Sequence, residues 1–375
     1  MDSVLLQAIQ FLNDRVRPLA QEMDHDPEIL RVAMMGLCER NMMALKRPAE
    51  FGGPEMSEED FRAFQEEVAR ASGSLAFLQT QHQSAVSMIA KSDNRDLKYR
   101  YLPAMGNGRK LVGIGFSQLR RPGEPIMRAR QVDGGYILDG NVPWITGWSF
   151  FPEFLIGASL PDGQAVFAVV PLTTTSKADD IWTAKEGEVG RITVSPPMEL
   201  AAMQTAMTVS ADFANWFVPD ADVAFIRPAG WIQNNDMINI ALQGHFALGC
   251  CQAGLDILKS AADKRGFGFL HDVHDRLAQE LVECKEETAR TRDDVGAGGD
   301  EGESPASTES RLAVRAWAID LAVRCAHAAI TASSGAANSL KHPAQRVYRE
   351  ALVYTVSAQT TPIMEATLKR LVRPT

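Results

Sequence analysis

The first part of the chain carries a helical pattern of apolar and polar positions. In "EEDFRAFQEEVARASGSLAFLQTQHQSAVSMIA", residues 58–90, apolar side chains recur at intervals of three and four, and acidic residues precede them. This spacing places apolar side chains on one face of a helix, and acids favour a helix start. The same pattern of apolar and polar positions runs from residue 3 to about 112, so we predict an all-helical N-terminal domain over residues 1–112.

At about residue 113 the pattern changes to short runs of alternating or β-branched residues. Examples are "GGYILDGNVPWI", "FLIGASL", "AVFAVVPL" and "MTVSADFANWFV", which are separated by turn sequences such as "PDG" and "GEVG". Several short strands bounded by turn residues are typical of a β-sheet or a small barrel. We therefore predict a middle β domain over residues 113–230.

Helical spacing returns at about residue 235 and continues to the end, which predicts a C-terminal helical-bundle domain over residues 231–375. Within it, "RDDVGAGGDEGESPASTES", residues 292–310, consists of glycine, serine and acids with almost no apolar residue. Such a segment has little to bury, so it predicts a flexible loop between two long helices. The order of helices, strands and helices predicts an α+β fold that is mostly α.

Charge and hydropathy exclude several classes of protein. The formal charge is −9 and there is no long basic run, which argues against binding to nucleic acid. The start, "MDSVLLQAIQFLNDRVRPLA", lacks the basic-then-apolar layout of a secretory signal. No run of about 18 apolar residues predicts a membrane span. The sequence therefore predicts a cytoplasmic protein.

The cysteines and histidines do not form a metal-binding pattern. The five cysteines are scattered and none belongs to a Cys-x-x-Cys pair, so no disulfide framework is predicted. His271 and His274 fit one helical face, but zinc takes three or four protein ligands and no third is apparent. The sequence predicts no metal site.

Five stretches, in this order along the chain, resemble one known family. They are "LKRPAEFGG", "DLKYRYLPAMGNG", "VDGGYILDGNVPWITG", "FANWFVPDADV" and "HPAQRVYREA". The third is the most specific, because it is similar to the signature Gly-x-x-x-x-Gly-x-Lys-x-Trp-Ile-Thr, with Val142 in place of the lysine. The chain thus resembles the acyl-CoA dehydrogenase family over nearly its whole length. That resemblance implies a helical domain, a central β domain and a C-terminal four-helix bundle.

The resemblance implies bound FAD and a homodimer or homotetramer. By position, Trp144 would lie along the isoalloxazine ring, Thr146 would bond near its N5 edge, and Ser117 would lie on the strand beside it. The other cofactor contacts it implies are Arg265 and Phe267, contributed by a neighbouring subunit, Ser334 and Gly335 at the place of a double glycine, and Thr360. These residue types suit the cofactor, since an indole covers a planar ring and arginine bonds a diphosphate in a bidentate way.

One position departs from the family at the centre of its chemistry. Acyl-CoA dehydrogenation needs a base for the α proton, usually a glutamate, and "VYTVSAQTTPI" places Ala358 there. The other place where family members carry this glutamate falls near Asn239, which is no base either. Asp236 and Glu365 are the nearby acids, and each would need a backbone course that differs from the family. A positioned base contributes about 10²- to 10⁴-fold, so ordinary acyl-CoA oxidation is expected to be slow.

A second departure lies in the loop that, by the resemblance, would contact the flavin and the substrate. Where the family reads approximately Thr-Glu-Pro-x-x-Gly-Ser-Asp, this chain has "SQLRRPGEP". Arg120 and Arg121 are therefore candidates for binding a substrate phosphate or carboxylate, as guanidinium groups do well. The alternative is that both arginines simply face water.

The sequence leaves three functions open. The first is an FAD-dependent oxidoreductase acting on CH–CH groups of an acyl-CoA or similar bulky substrate, together with an electron-transfer partner or reductase. The second is a flavin-dependent monooxygenase of the same fold, for which His82 is a candidate catalytic residue, because related monooxygenases use a histidine in such a region. A polar helix-face histidine is the competing interpretation of His82. The third is a catalytically silent paralogue that binds FAD or another ligand.

Overall fold

The N-terminal part is helical. The structure, a computed structural model, describes residues 3–173, 180–185, 188–238, 240, 244–297 and 305–372. The first helices are α1 (Ser3–Phe11), α2 (Ala20–Met23), α3 (Pro27–Glu39), α4 (Glu58–Ala71), α5 (Gly73–Ala90) and α6 (Arg95–Met105). The side chains that cap α3 to α6, by accepting a hydrogen bond from the first turn, are Asp26, Ser57, Ser72 and Asn94. Short polar side chains at these places fix where each helix begins.

The middle of the chain forms one sheet. Its strands are β1 (Val112–Gly115), β2 (Met127–Val132), β3 (Gly135–Thr146), β4 (Glu153–Ser159), β5 (Ala165–Pro171), β6 (Asp180–Lys185), β7 (Glu188–Val194), β8 (Thr208–Pro219) and β9 (Val223–Arg227). Their order is β6-β7-β8-β3-β2-β4-β5-β9, and β1 lies parallel to β4. A 3₁₀ turn, Ser117–Arg120, follows β1 and packs against β3.

The C-terminal part is again helical. Its helices are α7 (Trp231–Ile238), α8 (Gly244–Arg265), α9 (Gly268–Ala297), α10 (Pro305–Ser333), α11 (Pro343–Val356) and α12 (Thr361–Leu371). The helices, sheet and helices follow in the predicted order, which confirms the predicted fold class. The exact domain boundaries at 112 and 230 stay a prediction.

Helices occupy both ends of the predicted loop at about 292–310. Helix α9 continues to Ala297 and α10 begins at Pro305, so only residues 298–304 of the predicted loop lie outside the described residues. Arginine and aspartate at 292–294 are compatible with a helix, and proline favours a helix start because its φ angle is already helical. The polar composition of this segment did not by itself predict where α9 ends and α10 begins.

One apolar core connects the three parts. Helix α8 packs on α4 and α10, and buried side chains of the N-terminal helices, the sheet and the C-terminal helices join in one cluster. All five cysteines are buried and carry free thiols. Among the described helices, none has both the length and the apolar character needed to cross a membrane.

Candidate functional site

The turn between α11 and α12 holds the position where a catalytic carboxylate was sought. Ser357 ends α11 through a bond from its N–H to the Val353 carbonyl, and Ala358 has a left-handed φ of 48°. Thr360 precedes α12, yet its hydroxyl does not cap that helix. Its Oγ1 is buried and has no hydrogen-bond partner in the described structure. Since buried hydroxyls normally find a partner, this oxygen is available to a ligand.

Neither nearby acid is free to replace the absent carboxylate. Asp236 on α7 is buried and accepts two hydrogen bonds from Arg120, one from Nε at 2.6 Å and one from Nη2 at 2.9 Å. Glu365 on α12 is exposed and pairs with Lys369 at 2.6 Å. Asn239 lies outside the described residues. The turn therefore has no unpaired carboxylate supplied by these residues.

The end of β3 places the tryptophan and the threonine of the "WIT" stretch in different environments. Trp144 is 39% exposed, so its indole is accessible to a ligand. Thr146 is 1% exposed, and its Oγ1 lies 3.1 Å from Oγ1 of Thr208 on β8. A hydroxyl has one donor and two acceptor sites, so the bond to Thr208 does not use the whole hydrogen-bonding capacity of Thr146. Ser117, which begins the 3₁₀ turn packed on β3, is partly exposed.

The two loop arginines differ in what they can bind. Arg120 crosses from the 3₁₀ turn to Asp236, and Gln233 on α7 also donates to the Leu119 carbonyl. The bidentate pair uses the Nε and Nη2 donors of Arg120 and offsets its charge, so Arg120 is less available to an anion than an unpaired arginine would be. Arg121 is exposed, and its guanidinium remains open to solvent. An anion contact at Arg121 or Arg120 stays a prediction.

His82 is enclosed between α5 and the start of the sheet. Its Nδ1 accepts a hydrogen bond from the Val112 N–H at 2.9 Å, and its Nε2 donates to the Met105 carbonyl at 3.1 Å. The residue is fully buried, and desolvation lowers its pKa from 6.5 to about 4 despite those bonds. Both ring nitrogens are occupied, so His82 as described offers none for proton transfer to a substrate.

Burial of a neutral His82 predicts an acid-dependent loss of stability. The pKa of an unfolded histidine is 6.5 and that of His82 is about 4, so unfolding takes up a proton between these values. This contribution is complete above pH 6.5 and declines as the pH falls towards 4. We expect the wild type to lose about 2 kcal/mol more free energy of unfolding than His82→Gln between pH 7 and pH 5. Urea denaturation at both pH values measures it, and equal losses would contradict it.

Arg265 and Phe267 lie at the far end of α8 from the turn that carries Ala358. Phe246, at the start of α8, stacks on Tyr354 of α11 with the ring planes 6° apart. Nineteen residues of helix separate Phe246 from Arg265, which corresponds to about 28 Å at 1.5 Å per residue. Arg265 and Phe267 are both exposed. Both side chains are therefore accessible to another molecule, and they lie far from the turn at Ala358 of their own chain.

Ser334 and Gly335 lie in the 3₁₀ turn after α10. Both are exposed, and Ser334 has a left-handed φ of 59°. This turn packs on α10 and α11. Its exposure is compatible with a ligand contact, which stays a prediction.

Sequence reasoning missed a buried ion pair about two and three helical turns before the turn at Ala358. Arg346 Nη1 donates to Glu350 Oε1 at 2.7 Å, and the Gly73 N–H at the start of α5 donates to the same oxygen at 3.0 Å. A Cβ on Gly73 would lie 2.6 Å from Cδ of Glu350, so only glycine permits this contact. Desolvation raises the pKa of Glu350, and Arg346 only partly offsets it. The i,i+4 spacing of arginine and glutamate in "HPAQRVYREA" was the sequence feature that could have predicted this ion pair.

The described residues contain no group of three or more histidine, cysteine, aspartate or glutamate side chains arranged to hold a metal ion. The proximity of His271 and His274 along α9 does not change this, because His274 bonds its neighbour Asp275.

Comparison with known proteins finds sequence relatives that include several acyl-CoA dehydrogenases. A family model described as "Acyl-CoA dehydrogenase, N-terminal domain" matches residues 3–109. A mitochondrial isovaleryl-CoA dehydrogenase from Solanum tuberosum is 24% identical over 224 residues, or 57% of this chain, and the match spans about half (51%) of that protein's length. A mitochondrial isovaleryl-CoA dehydrogenase from Oryza sativa subsp. japonica is 22% identical over 96% of this chain and 88% of its own length.

Solved structures with the same fold carry more than one activity. An acyl-CoA dehydrogenase from Bacillus anthracis, complexed with FAD, superposes with a TM-score of 0.75 at 16% identity, over 94% of this chain and 63% of that one. A dibenzothiophene monooxygenase from Paenibacillus sp. A11-2 superposes with a TM-score of 0.76 at 15% identity, over 99% and 97% of the two chains. At these identities the likeness establishes the fold alone.

Proposed function

We propose that this chain is an FAD-dependent oxidoreductase of the acyl-CoA dehydrogenase family, whose N-terminal model and relatives it matches, and that it acts on an acyl-CoA or a similarly bulky substrate. The observation that carries this proposal is the turn at residues 357–360. Among the described residues it presents a buried threonine oxygen without a partner, as a cofactor contact would require, and it has Ala358 where a carboxylate is expected. The protein would thus keep the cofactor site and lack the usual proton acceptor.

The residues that are present fit FAD. Trp144 offers an accessible indole for a planar ring, and Thr360 offers an unused hydroxyl for its heteroatoms. Arg265 offers an exposed guanidinium suited to a diphosphate. Bound FAD would supply two-electron redox chemistry, while the protein's own residues hold and orient it. The Bacillus anthracis protein of the same fold is complexed with FAD, which supports the assignment.

The chemistry that these side chains can perform sets an expectation for turnover. The methyl group of Ala358 cannot accept a proton, and the carboxylate of Asp236 is held by Arg120. Removal of an α proton therefore lacks its positioned base, which is worth about 10²- to 10⁴-fold. We expect slow dehydrogenation by the wild-type protein, together with ordinary binding of the substrate.

The visible spectrum of the purified protein tests the cofactor, and anaerobic titration with acyl-CoAs of graded length tests the substrate. Flavin absorption bands and their slow bleaching by one chain length are the expected results. A colourless protein that cannot be reconstituted with FAD would contradict the proposal. Bound flavin that no acyl-CoA bleaches would refute the dehydrogenase activity alone.

A monooxygenase is the second candidate function, and Ala358 is the observation that favours it. Oxygen chemistry with reduced flavin needs no base for an α proton. The Paenibacillus protein described as a dibenzothiophene monooxygenase has the same fold. The enclosure of His82 removes one argument for this candidate. Substrate-dependent oxygen uptake with a supplied reductase would distinguish it from the first.

The position of Arg265 predicts a shared cofactor site in a homodimer or homotetramer. Since about 28 Å of helix separates it from the start of α8, we propose that it binds the diphosphate in a neighbouring subunit. Arg265→Glu should raise the FAD dissociation constant about tenfold or more, because a charge-assisted hydrogen bond becomes a repulsion. Lys264→Glu, its exposed neighbour on α8, is the matched control and should bind FAD normally.

Light scattering and FAD titration measure the two outcomes. A monomer with full FAD occupancy, or equal effects of Arg265→Glu and Lys264→Glu, would refute the shared site. The cytoplasmic location and the electron-transfer partner or reductase expected from the sequence remain predictions.

A further inference from the structure

A buried guanidinium lies behind the turn that carries Ala358. Arg315 on α10 is 3% exposed, and its Nη2 donates to the Ser357 carbonyl at 2.9 Å. Its Nε and Nη1 are buried and have no partner in the described structure. Burial lowers its pKa to about 10, so the group is still charged at neutral pH. A buried charge without a carboxylate needs another source of compensation.

The end of α11 supplies that compensation. The last carbonyl groups of a helix have no partner within it, and the aligned peptide dipoles place a partial negative charge there. Ser357 is the residue that ends this 14-residue helix. Arg315 therefore acts as a cationic cap at the C-terminal end of α11. Its hydrogen bond also fixes the first residue of the following turn.

Little else fixes this turn. Gln359 Nε2 reaches the Thr355 carbonyl only at 3.4 Å and at the surface, and Thr360 makes no side-chain cap on α12. Ala358 has a φ of 48°, which an alanine adopts at a cost of about 1–2 kcal/mol. Among the described contacts, Arg315 provides the buried side-chain donor that reaches residues 357–360 from another element. The conformation of the turn thus depends on it.

We propose that Arg315 is the positioning residue that holds the turn 357–360 so that Thr360 Oγ1 and the main chain at Ala358 face the bound flavin. This role rests on the proposed flavin site, because the turn matters for function only where it meets a ligand. Arg315 itself need not touch the cofactor. It acts through the Ser357 carbonyl, which it fixes in place.

Hydrogen exchange of the full-length protein tests the positioning directly. The informative amides are those of Ser357 and Met364, which bond to the Val353 and Thr360 carbonyls on either side of the turn. Arg315→Met should exchange these amides about tenfold faster or more, because a hydrogen bond to a charged group is lost. Arg315→Lys keeps the charge and a donor, and should restore most of the protection.

Arg311→Met is the matched control. Arg311 is also buried on α10, one turn earlier, and its Nη2 bonds Thr308 of the same helix at 3.4 Å. This variant removes a buried arginine without removing the bond to Ser357. If both methionine variants accelerate exchange equally, Arg315 is merely part of the core and the proposal fails. If Arg315→Met does not fold, Arg315→Gln gives the same comparison.

FAD titration provides the functional arm of the test. Arg315→Met should bind FAD about tenfold more weakly than the wild type, whereas Arg311→Met should not. A wild-type protein that binds no FAD would refute the proposed function, and the exchange of the Ser357 and Met364 amides would still decide the positioning role. Faster exchange with unchanged FAD affinity would show that the turn does not meet the cofactor, and would overturn the proposal.

Discussion

Ala358→Glu should accelerate flavin reduction by acyl-CoA by about 10²- to 10⁴-fold, because it restores a positioned base that the wild type lacks. The backbone at this position already has a left-handed φ of 48°. Alanine bears the same steric penalty there as any residue with a Cβ, so glutamate adds little further strain. The turn is also partly exposed, which leaves room for a longer side chain. Anaerobic stopped-flow measurement of flavin bleaching gives the rate.

Ala358→Gln is the control for this gain of activity. It has nearly the same shape as the glutamate variant and cannot accept a proton at neutral pH. In Ala358→Gln, acyl-CoA should therefore reduce the flavin at the wild-type rate. Equal rates for the two variants would mean that the new side chain acts by shape alone. An unchanged rate in Ala358→Glu, with flavin and acyl-CoA both bound, would show that position 358 does not face the substrate.

Arg346→Met should lower the free energy of unfolding by about 3–5 kcal/mol, since it leaves a buried carboxylate without its counter-charge. Glu350 is 0% exposed, and Arg346 and the Gly73 N–H both bond its Oε1. Desolvation already raises the pKa of Glu350, and the loss of Arg346 removes the largest opposing contribution. The penalty should be greatest at high pH and shrink as the pH falls and Glu350 takes up a proton.

Two further variants separate this buried pair from an ordinary ion pair. The double variant Arg346→Met with Glu350→Gln removes the charge but keeps an acceptor for Gly73, so most of the lost stability should return. Lys369→Met breaks a pair of the same i,i+4 spacing on the surface of α12, where both partners are exposed, and should leave the free energy of unfolding almost unchanged. Urea unfolding followed by circular dichroism compares them. A double variant as unstable as the single one would contradict the explanation.

The order of helices and strands could be predicted because it depends on local spacing. Apolar residues three and four apart became α4 and α5, and the alternating run "GGYILDGNVPWI" became β3. The predicted loop at about 292–310 was too long because polar composition does not exclude an exposed helix end. The spacing of apolar residues therefore predicts whether an element is a helix or a strand more reliably than it predicts where that element begins and ends.

The environment of particular side chains could not be predicted in the same way. His82 occurs in the polar run "QTQHQ", which suggested a solvated helix face. In the fold α5 is buried on several sides, and some of its polar residues bond main-chain atoms: Gln83, for example, bonds the Leu45 N–H and the Met42 carbonyl. Arg120 and Asp236 are 116 residues apart, so no local pattern joins them. Such pairings depend on tertiary structure.

Because all five thiols are buried, their reaction with alkylating reagents reports the unfolding of this chain. Desolvation raises the pKa of Cys38 to about 11 and of Cys284 to about 12, and raises those of Cys250 and Cys251 well above the ordinary value. Thiolates are the reactive species, so the native protein should resist alkylating reagents while the denatured chain is modified rapidly. A brief pulse of such a reagent would count denatured molecules directly, without any introduced label.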